Sequence, residues 1–287
     1  MFEQKQNYNI NDLIAIMALL RSPEGCPWDI EQTHASIRSN VIEEAYEVAE
    51  AIDRRASGGK SEGSEQLCEE LGDLLLQVIF HAQMASEAGE FDFNGVCDVI
   101  CKKLVYRHPH VFSVGDDAHI VPLNSVNTPE QVLRNWDDLK SSSKGEETAA
   151  DRLESVPKLL PALTRGEKVG KRAAHTGFDF NNTEEVLRTL KSEVMELETA
   201  ILHKKDVEIE EEFGDVLFTC CNLGRFLKKD CEKALTISIN KFIMRFRELE
   251  SMVTSSGKSI EELDATELEE LWQKAKNAEK SADRLTE

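Results

Sequence analysis

No segment of the sequence carries the roughly 18 consecutive apolar residues needed to cross a bilayer, and the first residues, MFEQKQNYNINDL, lack the charged-then-apolar pattern of a secretion signal. Positive charge is scarce: 34 Lys and Arg stand against 54 Asp and Glu, a formal net charge of −20. That balance argues against nucleic acid or an anionic membrane as a general partner, while leaving open a phosphate held through a metal. The seven cysteines, Cys26, Cys68, Cys97, Cys101, Cys220, Cys221 and Cys231, form no CxxC pair and are odd in number, so reduced thiols are expected. These absences predict a cytoplasmic protein with no membrane and no nucleic-acid partner. No stretch alternates apolar and polar residues over the length of a strand, which leaves an all-α fold. A chain of 287 residues is long enough for two helical bundles, each with its own core.

What the sequence does have is concentrated around LGDLLLQVIFHAQMA, residues 71–85, where Asp73 is the only formal charge in an apolar run. A carboxylate in such surroundings needs a positive partner. Its acidic neighbours Glu69 and Glu70, and Glu43, Glu44 and Glu47 on the preceding helix, supply only more negative charge. A hard divalent cation between the two helices resolves the conflict.

Taken in order, Asn11 to Leu20 reads as a short amphipathic helix capped by Asn11. The turn-rich Arg21 to Asp29 presents Trp28, either as a lid on the core or as a surface on which a ligand stacks. Glu31 to Arg55 reads as one helix, with Val41, Ala45, Val48 and Ile52 as its apolar stripe, Glu44 beside the stripe, and Glu43 and Glu47 further round. Glu65 to Glu87 is apolar on nearly every side, so it is expected to be covered all round in a bundle or a dimer, and its Glu70 and Asp73 share a face. Phe93 to Tyr106 ends at Pro109 and carries Lys103 and Arg107 four residues apart. A polar stretch with a short helix over Glu130 to Lys140 follows, and Ser259 to Lys276 is expected as a capped helix bearing Trp272. The boundaries predicted are a first repeat at 1–112, a linker at 113–156 and a second repeat at 157–287.

Three segments of the first half recur in the second. EEFGDVLFTCCNL (211–223) aligns with EELGDLLLQVIFH (69–81), placing Glu212 on Glu70 and Asp215 on Asp73. SEVMELETAI (192–201) aligns with EEAYEVAEAI (43–52), placing Glu193 on Glu44, Glu196 on Glu47, and Ser192 where the first copy has Glu43. KFIMRF (241–246) aligns with KLVYRH (103–108), placing Lys241 on Lys103 and Arg245 on Arg107. The first helix recurs 149 residues on and the second 142, so their connection is seven residues shorter in the later copy.

A single ExxE in so acidic a chain is usually a solvated face, but a solvated face has no reason to recur with the same acids, the same glycine before the aspartate and the same apolar run after it. The pattern therefore points to metal binding by Glu44, Glu47, Glu70 and Asp73, and by Glu193, Glu196, Glu212 and Asp215. An all-carboxylate set suits Mg²⁺, with Mn²⁺ as the alternative. The sequence has no EF-hand loop, no Cys/His cluster for zinc and only one ExxH, Glu31 to His34, where a di-iron bundle needs two. GGKS (58–61) and SGKS (256–259) fail as phosphate loops, since Arg54 and Met252 occupy the place of the first glycine. Lys103 with Arg107, and Lys241 with Arg245, are in the commoner case exposed helix ends; beside a metal they would hold phosphates. Glu43, Glu44 and Glu193 are the candidate carboxylates for activating water.

GCPWDIEQT (25–33), EEAYE (43–47), EELGDLL (69–75), RHPHVF (107–112) and KVGKRAAHTGFDF (168–180) together resemble the MazG family of nucleoside triphosphate pyrophosphohydrolases. The resemblance runs over nearly the whole chain. It implies an all-α homodimer that cleaves nucleoside triphosphates to monophosphate and pyrophosphate with Mg²⁺, the metal motif falling on the acids above. It further implies that Lys241, Arg245 and Trp272, with Lys140 of the linker, hold nucleotide in the second repeat; Trp28, Lys103 and Arg107 are the corresponding candidates in the first. Ser192 departs from the motif. A non-catalytic sensor that binds nucleotide and metal, and a purely structural helical dimer, are the competing expectations.

Overall fold

The computed structural model describes residues 4–57, 62–108, 111–112, 128, 131 and 148–286, and the chain divides into two compact units, Met1–Lys140 and Ser141–Glu287. Every regular element among the described residues is helical. Apart from Gln131, the helix expected over Glu130 to Lys140 lies outside them, Lys140 included.

The first unit holds α1 (Ile10–Leu20), α2 (Pro27–Glu31), α3 (Arg38–Ser57), α4 (Glu62–Glu87) and α5 (Phe93–Arg107). Helices α3 and α4 pack along each other, while α1 and α5 lie against α4. The core is Met17, Ile37, Ile79, Phe80 and Met84, with Leu13, Ile14, Leu20, Leu76 and Phe93 around it. Helix α1 starts one residue earlier than expected and its cap is Asn9, not Asn11: the Asn9 side chain accepts from the backbone N–H of Asn11 and Asp12, and Asp12 accepts in return from the Asn9 N–H. Asn11 has no such reciprocal partner three residues on, since that place falls to Ile14.

The expected helix Glu31 to Arg55 is two helices with a bent segment between. Thr33 and Ser36 bond to each other's backbone N–H through their hydroxyls, an alternative to helical pairing that holds the chain open until Arg38. That segment is tied to α4 by His34 and His81, whose Nδ1 atoms are 2.7 Å apart. A second tie is Arg21, whose side chain is 7% exposed. It donates to both oxygens of Glu87 on α4 and to the backbone carbonyls of Asp29 and Gln32, clamping the Trp28 loop onto the bundle. Arg21→Ala strands those acceptors, and a loss of about 2–3 kcal/mol in chemical denaturation is expected. A change under about 0.5 kcal/mol would show that the clamp is redundant.

The second unit holds α6 (Ala149–Glu154), α7 (Ala162–His175), α8 (Thr183–His203), α9 (Asp206–Phe226), α10 (Cys231–Ser255) and α11 (Ala265–Thr286). Helices α8 and α9 pack along each other, repeating α3 and α4; α7 covers α9 and touches α10, which pairs with α11. The close approach of α7 to α9 depends on two glycines. A Cβ on Gly166 would stand 3.0 Å from Cys221 Sγ, and one on Gly170 2.5 Å from Asn222 Oδ1. The final helix expected over Ser259 to Lys276 is interrupted: Ser259 caps only a 3-10 turn at Ile260–Glu262, and Asp264 starts α11 by accepting from the N–H of Thr266 and Glu267.

Neither unit covers all its own apolar surface. On α4, Ile79, Phe80, Ala82, Met84 and Ala85 are buried, but Leu71, Leu75 and Val78 are exposed. On α10, Leu235, Ile239, Phe242 and Phe246 recur at helical spacing and are all exposed.

Candidate metal and nucleotide site

Each helical pair brings its acids to a common point. On α3 the spacing of Glu44 and Glu47 puts both on the side facing α4, and on α4 the spacing of Glu70 and Asp73 does the same in return. One carboxylate oxygen from each of Glu44, Glu70 and Asp73 lies within 4.8 Å of the others. In the second unit Glu193, Glu196 and Glu212 meet the same criterion. Asp215 is close enough to Glu193 and Glu212 to disfavour their ionisation.

The electrostatics of both points are one-signed. Partial burial, then Asp73, Glu43 and Glu70, hold the Glu44 carboxyl above its ordinary range, a hydrogen bond from Gln77 offsetting part of this. Glu47 is raised by burial and by Glu70, Glu44 and Glu43, and shares a hydrogen bond with Glu70. Glu193 is raised by burial and by Glu196, Asp215 and Glu212; Glu212 is raised by burial and by Glu196, Asp215, Glu211 and Glu208. Every charged group acting on these four is an acid. Such donor sets, all oxygen and all negative, fit a hard divalent cation.

A stability consequence follows from the sign of those shifts. A carboxyl raised in the folded state binds its proton more tightly there than in the unfolded chain, so its contribution is present while it is protonated. That contribution is lost as pH rises from the unfolded value of 4.5 through the folded one. Without divalent cation, the melting temperature is expected to fall as pH rises above 4.5, and Mg²⁺ to abolish the fall. Asp12, Glu87 and Asp179, whose shifts are opposite, act only at lower pH. A Glu44→Gln, Glu193→Gln double variant with the same cation-free slope as the wild type would refute the account.

Ser192 has a place in this arrangement that its departure from the motif did not suggest. Its hydroxyl donates to Glu196 Oε1 at 2.9 Å, fixing a candidate ligand where the first repeat has a carboxylate.

Each unit also has a cavity, and in the second unit the acids form part of its wall. In the first unit it has a volume of about 150 Å³ and is bordered by Trp28, Asp29, Ile37, Asn40, Gln77 and Phe80. Trp28 therefore sits at a cavity mouth, half of its surface open. In the second unit about 340 Å³ is enclosed by Phe178, Asp179, Phe180, Asn222 and Arg225 together with Glu193 and Asp215. Arg225 forms a two-pronged ion pair with Asp179, and its Nη2 also donates to Asn222 Oδ1 at 3.2 Å. Lys103, Arg107, Lys241 and Arg245 line neither cavity. Lys103 is exposed and Arg107 half-buried on α5; Lys241 is exposed and Arg245 half-buried on α10. Trp272 packs on Phe242 with ring centroids 5.0 Å apart, on the side of α10 that also carries Arg245 three residues on.

Reading the sequence alone missed Gln77, the bond from Ser192 to Glu196, and the Asp179–Arg225 pair. Gln77 stands four residues after Asp73 and so shares its face, a spacing that was available as a signal. Asp179 and Arg225 are 46 residues apart, and nothing in their local sequence joins them.

Comparison with known proteins adds independent findings. The model for the MazG nucleotide pyrophosphohydrolase domain matches residues 32–112 and 181–249. The Thermotoga maritima protein named nucleoside triphosphate pyrophosphohydrolase/pyrophosphatase MazG is 40% identical over 270 residues, 94% of this chain and 96% of that one. The nucleoside triphosphate pyrophosphohydrolase of Escherichia coli is 40% identical over 273 residues, 94% of this chain and 98% of that one. That of Mycolicibacterium smegmatis is 34% identical over 177 residues, 61% of this chain and 49% of that one.

Proposed function

The chain belongs to the MazG nucleotide pyrophosphohydrolase family, and from that premise we propose that it hydrolyses nucleoside triphosphates to nucleoside monophosphates and pyrophosphate, as a cytoplasmic homodimer dependent on Mg²⁺, with Mn²⁺ as a substitute. The observation that carries this reading is the pair of carboxylate clusters at equivalent places in the two units. The cation-holding residues are Glu44, Glu47, Glu70 and Asp73 in a repeat spanning 1–112, and Glu193, Glu196, Glu212 and Asp215 in a repeat spanning 157–287, with 113–156 as the linker.

A divalent cation held there supplies charge neutralisation and polarisation of the phosphate chain. The protein's own groups do the rest. Glu43 in the first repeat, which no other acid need share with the cation, orients a water and takes its proton as the oxygen bonds to phosphorus at the α–β anhydride. The P–O bond to the leaving group then breaks and pyrophosphate departs. In the second repeat, where Ser192 has no basic oxygen to offer, Glu193 is the proton acceptor. Lys103 with Arg107, and Lys241 with Arg245, cover the phosphate oxygens. Trp28 and Trp272 offer flat apolar surfaces to the nucleoside.

The test is incubation of the purified protein with each nucleoside triphosphate and Mg²⁺, with monophosphate, diphosphate, phosphate and pyrophosphate all measured. Monophosphate and pyrophosphate in equal amounts are expected. Diphosphate with phosphate would overturn the assigned bond, and binding without turnover would favour a nucleotide sensor.

A further inference from the structure

We propose that the first repeat selects nucleotides with a pyrimidine base, which is seated in the cavity beside Trp28 and read by the side-chain oxygen of Gln77. The inference rests on the nucleotide reading above and adds to it which base the first site takes and which residue reads it.

Size is the first ground. A cavity of about 150 Å³ between Trp28, Ile37 and Phe80 has the volume that, in a protein core, accepts one six-membered aromatic ring. A fused two-ring base exceeds it. The equivalent cavity in the second repeat, about 340 Å³, falls in the range that holds larger ligands and carries no such restriction.

The second ground is chemical. Gln77 is 7% exposed, and its Oε1 is buried with no hydrogen-bond partner in the folded chain. An orphaned buried acceptor costs stability and is rare unless a ligand completes it. The same side chain donates to Glu44, so its amide spans the distance from the acid cluster to the cavity wall. Both pyrimidine bases of RNA precursors offer a donor at the pairing edge, the N4 amine of cytosine or the N3–H of uracil, which the Gln77 oxygen can accept. Asn40 and Asp29 also border the cavity and provide further polar contact for the ring edge. The aligned residue in the second repeat is Thr219, whose shorter side chain leaves that space open.

The test is calorimetric titration of the full-length protein with CTP, UTP, ATP and GTP in Ca²⁺, followed by the same titrations with Gln77→Met. Methionine has nearly the shape of glutamine without the amide oxygen. CTP and UTP are expected to fill one more site per chain than ATP and GTP. Gln77→Met is expected to weaken that pyrimidine site at least tenfold and to leave purine binding within about twofold. If Gln77 served only to orient Glu44, the variant would weaken Ca²⁺ binding in the absence of nucleotide by as much as it weakens CTP and UTP, whereas unchanged Ca²⁺ affinity is expected. Equal losses, or equal site numbers for purines and pyrimidines in the wild type, would overturn the proposal. Leu20→Ala, which widens the same cavity, gives an independent check: it is expected to admit ATP to the first site. Unchanged purine stoichiometry there would count against size as the filter. Failure of turnover would not affect these outcomes, since they read binding alone.

Discussion

Pyrophosphate release from ATP is expected to fall by about two to three orders of magnitude in Glu212→Gln and by less than about threefold in Glu70→Gln. The two residues occupy the same place in their repeats, so the contrast isolates what surrounds them. Around Glu212, the larger cavity includes Glu193 and Asp215 in its wall and so joins nucleoside space to acid cluster directly. Ser192 holds Glu196 in place by a hydrogen bond. Positioning and electrostatic activation multiply in a rate, so losing one carboxylate from an otherwise complete site removes most of it. The first repeat keeps Glu43 but has the smaller cavity, so its share of ATP turnover is small. Activity near normal in Glu212→Gln with loss in Glu70→Gln would reverse the assignment and leave the second repeat as a binding or structural copy. Circular dichroism of both variants separates lost chemistry from lost fold.

Light scattering at micromolar concentration is expected to give about twice the chain mass of 32.3 kDa. Ile239→Glu is expected to return the particle to the mass of one chain. The ground is the apolar stripe of α10, where Leu235, Ile239, Phe242 and Phe246 stand exposed on one face, together with the uncovered Leu71, Leu75 and Val78 of α4. Burial is worth roughly 25 cal/mol per Å² of apolar surface, and a continuous exposed stripe of this kind marks an interface in a well-behaved protein. A carboxylate in the middle of such a seam has no partner and must be desolvated, which opposes association strongly. If the stripe faces water, the same substitution leaves both mass and melting temperature unchanged, and a wild type that runs as a single chain ends the argument.

The long amphipathic segments were legible because their periodicity follows from burial: α4 and α9, with the acids preceding each apolar run, could be placed from the sequence by their repeat alone. Boundaries were less so. The start of α3 is decided by whether Thr33 and Ser36 pair with each other or yield to the helix, a local competition in which side-chain hydroxyls win. Helix α7 went unrecognised because its two glycines, poor helix formers in isolation, are required by its contact with α9 and make sense only once that contact exists. In the site, the carboxylates were readable since ligand chemistry demands their type and spacing. Gln77 was not, because nothing marks a lone amide among leucines until its unpaired oxygen is seen. Ser192 read as a lost carboxylate, whereas its role lies in a bond to a residue one turn along.

Each acid cluster is drawn from two consecutive helices, and in the second unit Glu193 and Glu212 are separated by a turn at Lys204, which takes the left-handed conformation. Contacts this close in sequence form early and quickly, because little chain must be closed to make them. A cation-binding point built this way can assemble while the rest of the polypeptide is still being synthesised, and it needs nothing from the other repeat. Duplication therefore delivers a complete second centre in one step. Each copy is then free to drift in its cavity and its flanking residues without disturbing the other, and the contrast between Gln77 and Thr219 is the record of that independence.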